Sequence, residues 1–271
     1  MLLSGINGGM ENGNHASEEL GSIYSNYAAF RGGRLVLLSK DEEPGLLARF
    51  VHSQFRALIL DAPFPCVGAR AAFGRDTYRF GMYPEMASAA ATAGLYQDLR
   101  AFVAEQPSIG DFATFVASFT GPNPEDWRYF DVRIRRQLQG LHDMDTHDDG
   151  RRLRADAESL RSSFSFAGQA FFLVEFYAAS PHWAHRFAWP TLVFNPRRQF
   201  DSLRERGKFE RFRQVIQARE RALHESINPG LPKPAHTVRP PSSGDAAVGQ
   251  PGTTSALSPS GLVGSIPHTS Q

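Results

Sequence analysis

Apolar residues recur with two distinct periods between Tyr27 and Glu225, and each period predicts an element. In "GLLARFVHSQFRALIL", Leu47, Phe50, Val51, Phe55, Leu58 and Ile59 fall at helical spacing, and the following "APFP" ends the helix. Met86 to Glu105 predicts a second helix with the stripe Leu95, Leu99, Phe102 and Val103. After a loop "GPNPED" that ends in an N-cap, Trp127, Phe130, Ile134, Leu138 and Leu141 mark a third. The segment from Gln199 to Glu225 predicts a last helical region, broken near Gly207. Shorter apolar or alternating runs predict strands at Arg34–Ser39, Asp76–Tyr83, Asp111–Phe119, Ser163–Tyr177 and Thr191–Asn195. Helices and strands are mixed without the regular β-α-β rhythm of a doubly wound sheet. The predicted class is therefore α+β, a single mixed helix/sheet domain over residues 26–228. Residues 1–25 are rich in Gly, Asn, Ser and Glu, and residues 229–271 in Pro, Ser, Gly and Thr. Both are expected to be disordered tails, having little apolar area to bury.

Composition narrows the chemistry. A net charge of +1 gives no bulk attraction to nucleic acid or to a membrane. A single cysteine excludes an intrachain disulfide framework and a multi-cysteine zinc site, and suits a reducing cytoplasm. The start carries no signal-peptide pattern, and no apolar run is long enough to span a bilayer. Phenylalanine stands out at 21 residues, enough for a wide aromatic interior that packs on itself or encloses a flat cofactor. Phosphate-loop, dinucleotide, zincin, nucleophile-elbow and kinase motifs are all missing.

The remaining candidates are single residues, each with two readings. Cys66 follows a helix end in "PFPCVGARAAF" and is either a small buried hydrophobe or a ligating thiol. Arg70, Arg75 and Arg79, close by in sequence, would lower a thiol pKa or pair with porphyrin propionates. His142 and His147 in "GLHDMDTHDDG" read as a helix C-terminal histidine and a loop histidine, or as metal or haem ligands oriented by Asp143 or Asp145. His182 and His185 in "SPHWAHRF" could share a face, without an adjacent third ligand for zinc. Glu175 interrupts "FFLVEFY" and is either an outward strand residue or a buried carboxylate that needs a partner.

The blocks "FPCVGARAAF", "YRFGMY", "LYQDLRAF", "FSFAGQAFFLVEF", "WPTLVFNPRRQFDSLRERGKFERF" and "INP", in this order, resemble the YqcI/YcgG family from roughly Phe50 to Pro229. That family includes haem-dependent N-hydroxylases of guanidino compounds, among them enzymes of guanitoxin and D-cycloserine formation. The resemblance implies haem b, dioxygen, an external electron donor or reductase, and conversion of L-arginine to Nω-hydroxy-L-arginine in antibiotic or other secondary metabolism. On it, Cys66 is the first choice for the axial iron ligand, because thiolate ligation favours O–O cleavage. His147, His142 and His182 are rivals for that role. Glu175 would hold the guanidinium, with Glu85 and Asp76 as alternatives, and Arg70, Arg79 and Arg186 would anchor propionates or the substrate carboxylate. Two departures stand out. Tyr177 occupies the place where relatives carry a histidine in a Gly-Leu-His-Pro-like segment, and the Pro/Ser/Gly tail replaces a Ser-Glu-Ala-Arg-Gln-Tyr-Ser-Gly-Arg-like segment. The alternative function is a non-catalytic haem-binding or haem-sensing protein.

Overall fold

A computed structural model describes residues 23–110, 112–122, 127–149 and 164–227, with backbone alone at 127, 146–149 and 224–227. Both expected tails lie outside the described residues, apart from 23–25, and so do residues 123–126 of the "GPNPED" loop. Among the described residues the strands are β1 (Ala28–Arg31), β2 (Arg34–Leu37), β3 (Tyr78–Tyr83), β4 (Thr114–Phe119), β5 (Phe164–Phe166), β6 (Gln169–Phe176) and β7 (Thr191–Pro196). The helices are α1 (Leu46–Leu60), α2 (Val67–Gly74), α3 (Ala89–Ile109), α4 (Trp127–Asp149), α5 (Arg197–Glu205) and α6 (Phe209–Ile227).

The strands form one sheet in the order β2-β1-β3-β4-β7-β6-β5. Only β3 and β4 pair in parallel, joined through α3, and every other neighbour is antiparallel. This is the mixed α+β architecture expected from the sequence. β3 and β4 are buried at all six positions, because helices cover both faces at the centre of the sheet. Side-chain alternation then divides the interior into two cores. Tyr83, Phe115, Ala117, Phe119, Leu192 and Phe194 face α3 and α4. Tyr78, Phe80, Met82, Val116, Val193 and Phe176 face α1 and α2.

Four local readings change. The run Ser163–Tyr177 is a hairpin and not one strand: Ala167 (φ 47°) and Gly168 (φ 72°) turn it, and Asp145 of α4 accepts the Ala167 N–H at 3.1 Å. A second hairpin turns at Gly32 (φ 57°) and Gly33 (φ 82°), adding β1 ahead of the expected first strand. Helix α2 was not expected, being short and flanked by proline and glycine. In α1, Leu47 and Phe50 stay in solvent at 47% and 51% exposure, and the buried stripe is Ala48, Val51, His52, Phe55 and Ile59.

Candidate functional site

The helix-free step between α1 and α2 is set by Pro63 and Pro65, which deny backbone donors to a continuing helix. Cys66 then starts α2 as its N-cap, with extended backbone (φ −75°, ψ 103°) and its Sγ accepting the Ala69 N–H at 3.4 Å. The thiol is partly buried among the α1/α2 core residues. Burial pushes it above its ordinary pKa, against the Ala69 and Gly68 N–H groups, and the carboxylate of Glu220 on α6 pushes the same way.

Arginines hold the connection in place. Arg70 Nη1 donates to the carbonyls of Asp61 (2.6 Å) and Ala62 (2.8 Å). Arg219 of α6 donates to the Phe64 carbonyl at 3.1 Å and to that of Ala62. α6 also presses on α2 directly, since a Cβ on Gly68 would stand 3.0 Å from Phe212 Cζ. Phe212 stacks on Phe112 at 6.0 Å and 13°, and tilts against Phe200 of α5, which in turn meets Phe172 of β6.

The cover over this face is thinner than over the other. On β7, Leu192 and Phe194 are fully enclosed by α3 and α4, whereas Val193 between them keeps 8% exposure toward the α1/α2 side. Met82 on β3 keeps 7% on that side, and Val174, Phe112, Trp189 and Cys66 are all partly exposed there.

The sequence candidates divide between the two faces. With Cys66 on the α1/α2 side stand Arg70 and the β6–β7 loop. In that loop the His185 ring lies 5.1 Å from Phe176 and 5.7 Å from His182. Burial, then His182, lowers His185 to about 4, so it is neutral at physiological pH. Arg186 is exposed, donates to the Ser180 carbonyl at 2.7 Å and stacks 3.8 Å over Trp183. On the α3/α4 side stand Glu175, Tyr177 and Arg79. Arg79 is committed to Glu105, which also accepts the Tyr27 hydroxyl at 2.7 Å. Tyr177 packs 4.3 Å from Phe130 of α4. Glu175 shares that face of β6 with Phe171 and Leu173 and is itself engaged. His142 is half-buried on α4, and His147 lies in its last turn, where its side chain is outside the description. The alternative acids are paired, Glu85 with Arg133 at 2.8 Å and Asp76 with Arg56 at 2.9 Å.

Three buried or half-buried polar residues escaped the sequence reading. His52 Nε2 meets the Tyr78 hydroxyl at 2.6 Å, and burial, then Arg56, lowers it to about 4. Its position beside Val51 and three before Phe55 was the available signal. Asp98 accepts from Tyr83 (2.5 Å), the Asn26 N–H (2.8 Å) and Ser25; burial raises it to about 6 against those three bonds. Glu220 sits in a charged stretch that reads as a solvated face. Among the described residues no group of three or more His, Cys, Asp or Glu could hold a metal ion. No described helix is long and apolar enough to cross a membrane.

The model of the YqcI/YcgG family matches residues 55–235, from α1 through the last described helix. No curated protein and no solved structure matches the chain.

Proposed function

The chain belongs to the YqcI/YcgG family, and on that footing we propose that it is a haem b-dependent monooxygenase that N-hydroxylates a guanidino amino acid, with L-arginine the leading substrate. The observation that carries the reading is Cys66: a half-buried cysteine at the start of α2, on the α1/α2 side of the sheet and in a core cluster rich in phenylalanine. Those residues fit the group. A single axial thiolate needs no multi-residue ligand cluster, and apolar rings suit the porphyrin faces. The bound iron would remove the thiol proton that burial otherwise retains. When bound, the iron porphyrin supplies the dioxygen activation that no side chain provides, with two electrons from an external donor because the sequence has no flavin or nicotinamide motif.

The chain's own residues hold and shield. The Ala69 N–H at 3.4 Å steadies the sulfur, and the first turn of α2 favours its negative charge. Arg70 and Arg219 fix the Asp61–Phe64 segment ahead of it. Arg186 at the exposed loop keeps donors for a propionate or for the substrate carboxylate beyond its one bond to Ser180. Cys66 and Glu175 lie on opposite faces of the sheet. A haem held by Cys66 is therefore served by an acid other than Glu175, while a haem held by His142 or His147 would lie on the Glu175 side.

The second reading, haem binding without catalysis, is favoured by Tyr177. Where relatives place a histidine, this chain places a phenol packed into the α4 core. Purified protein loaded with haem and given L-arginine, reductant and oxygen separates the two. Hydroxyarginine by mass spectrometry supports the enzyme, haem binding without product supports the second reading, and a protein that takes up no haem ends both.

A further inference from the structure

Formal charge is spread unevenly along the chain. Between Arg197 and Leu223, over α5 and α6, nine arginines and lysines stand against four acids, a net charge of +5, whereas the whole chain carries +1 and its remainder therefore −4. Two of the four acids are neutralised locally, Asp201 by Arg204 at 2.7 Å and Glu210 by Arg213 at 2.7 Å. Arg219 is turned inward to the Ala62 and Phe64 carbonyls. Arg198, Arg206, Lys208 and Arg211 are exposed, and their side chains have no ion pair or hydrogen bond among the described residues. Three of them crowd the α5–α6 turn around Gly207 (φ 65°). The outer side of α6 continues the patch, with Val215, at 39% exposure, and Ala218 placed between Arg211 and Arg221 at helical spacing. An apolar centre with a charged rim is the make-up of a protein–protein contact. Like charges this close repel one another, and an acidic partner surface relieves the repulsion.

The patch adjoins the element that carries Cys66. Phe212, next to Arg211, faces Gly68, and a Cβ there would stand 3.0 Å from its ring, two residues beyond Cys66 in the first turn of α2. The charge of −4 on the rest of the chain disfavours an extended polyanion, such as nucleic acid or an anionic bilayer, which would reach past the patch. A small acidic protein meets the basic area alone.

We propose that the α5–α6 turn and the outer side of α6 dock the electron donor, a small acidic iron–sulfur protein that delivers one electron at a time. The proposal rests on the monooxygenase reading above for the need of a donor. In each delivery the carrier's reduced cluster loses one electron and the ferric haem iron gains it, with no bond made or broken.

The test is calorimetric titration of an oxidised, acidic plant-type [2Fe–2S] ferredoxin into the purified protein, whose haem content is read separately from the absorption spectrum. The patch variant is Arg206→Glu/Lys208→Glu/Arg211→Glu. The control, Arg34→Glu/Lys40→Glu/Arg75→Glu, changes the net charge equally at exposed positions outside α5 and α6. Urea denaturation checks that both stay folded. The patch variant is expected to weaken ferredoxin binding about tenfold or more at roughly 0.01 M ionic strength, and the control less than about threefold. Raising the ionic strength to about 0.15 M should weaken wild-type binding about tenfold, as the screening length falls from about 30 Å to about 8 Å. No binding by the wild type, an equal loss in both variants, salt-independent binding, or tighter binding of duplex DNA or anionic vesicles would each overturn the proposal. Ferredoxin binding in the expected pattern by a protein that takes up no haem would sink the monooxygenase reading and leave the docking surface standing. Hydroxyarginine formed with a chemical reductant by a protein that does not bind ferredoxin would do the reverse.

Discussion

The two faces of the central sheet are built from the same strands and behave differently. Toward α3 and α4, β4 and β7 present Phe115, Ala117, Phe119, Leu192 and Phe194, all sealed from solvent, while Arg79 there is paired with Glu105 and Asp98 is hydrogen-bonded by Tyr83, Ser25 and the Asn26 N–H. Toward α1 and α2 the same strands present Thr114, Val116, Ser118, Thr191 and Val193. These are smaller or polar, and the layer above them holds the half-buried Cys66. A face filled with fully enclosed rings stabilises. A face of small floor residues is closed at its centre by rings from α1 and α2, and exposure is left at Cys66, Val193 and Met82. Phenylalanine, whose abundance suggested a cofactor cavity, is ordinary packing on both sides: Phe115, Phe119 and Phe194 toward α3 and α4, and Phe55, Phe73 and Phe80 toward α1 and α2, are all fully buried. The informative residues are the few that are not aromatic.

Four measurements test this contrast. The largest effect is expected from Cys66→Ala, which should abolish stoichiometric haem uptake, followed as Soret absorbance per protein, while costing only about 1 kcal/mol of folding stability. Retained haem with full occupancy would move the iron to a histidine, His142 or His147 on α4 or His182 in the β6–β7 loop. Next, the same ring deletion should cost differently on the two sides. Phe115→Ala should lose about 3–5 kcal/mol in urea denaturation, and Phe212→Ala, only half-buried, about 1–2 kcal/mol. Equal losses would remove the distinction in packing.

A third measurement uses pH. Asp98 is raised to about 6 in the fold, above its ordinary value, so folding disfavours its charged form. Its contribution is fully present below about pH 4 and is lost as pH rises through about 6. Unfolding free energies should therefore show a fall of up to about 3 kcal/mol across that window, and Asp98→Asn should remove this part of the slope. An identical pH profile in the variant would place Asp98 outside the buried network with Ser25, Asn26 and Tyr83. The smallest effect is expected at Leu46→Ser, within about 0.5 kcal/mol, because that side chain is 75% exposed at the start of α1.

Much of the fold was legible because burial and period agree at its centre. Phe102, Ile134 and Leu138 are both periodic and enclosed, and the strands Tyr78–Tyr83 and Thr191–Pro196 lie where the apolar runs place them. Legibility failed where two stripes share one helix. Leu47 and Phe50 satisfy helical spacing as well as Val51 and Phe55 do, and only tertiary packing decides which stripe is covered. It failed also at the turn in Ser163–Tyr177, where Ala167 adopts a left-handed backbone that glycine or asparagine would have signalled. For the site, the sequence singled out Cys66 and its flanking arginines. It did not place α6 near them, because Arg219 and Phe212 reach the Ala62–Gly68 stretch only when α6 folds back onto α2. Glu175 looked like the acid because it interrupts an apolar run, a pattern that says nothing about which side of the sheet it faces.

The central claim is that the α1/α2 side holds the iron through Cys66. The most direct test is the absorption spectrum of the haem-loaded protein reduced under carbon monoxide. A strongly red-shifted Soret band, lost in Cys66→Ala, is the predicted result. A Soret band at the position of a histidine-ligated haem, unchanged in Cys66→Ala, would contradict it.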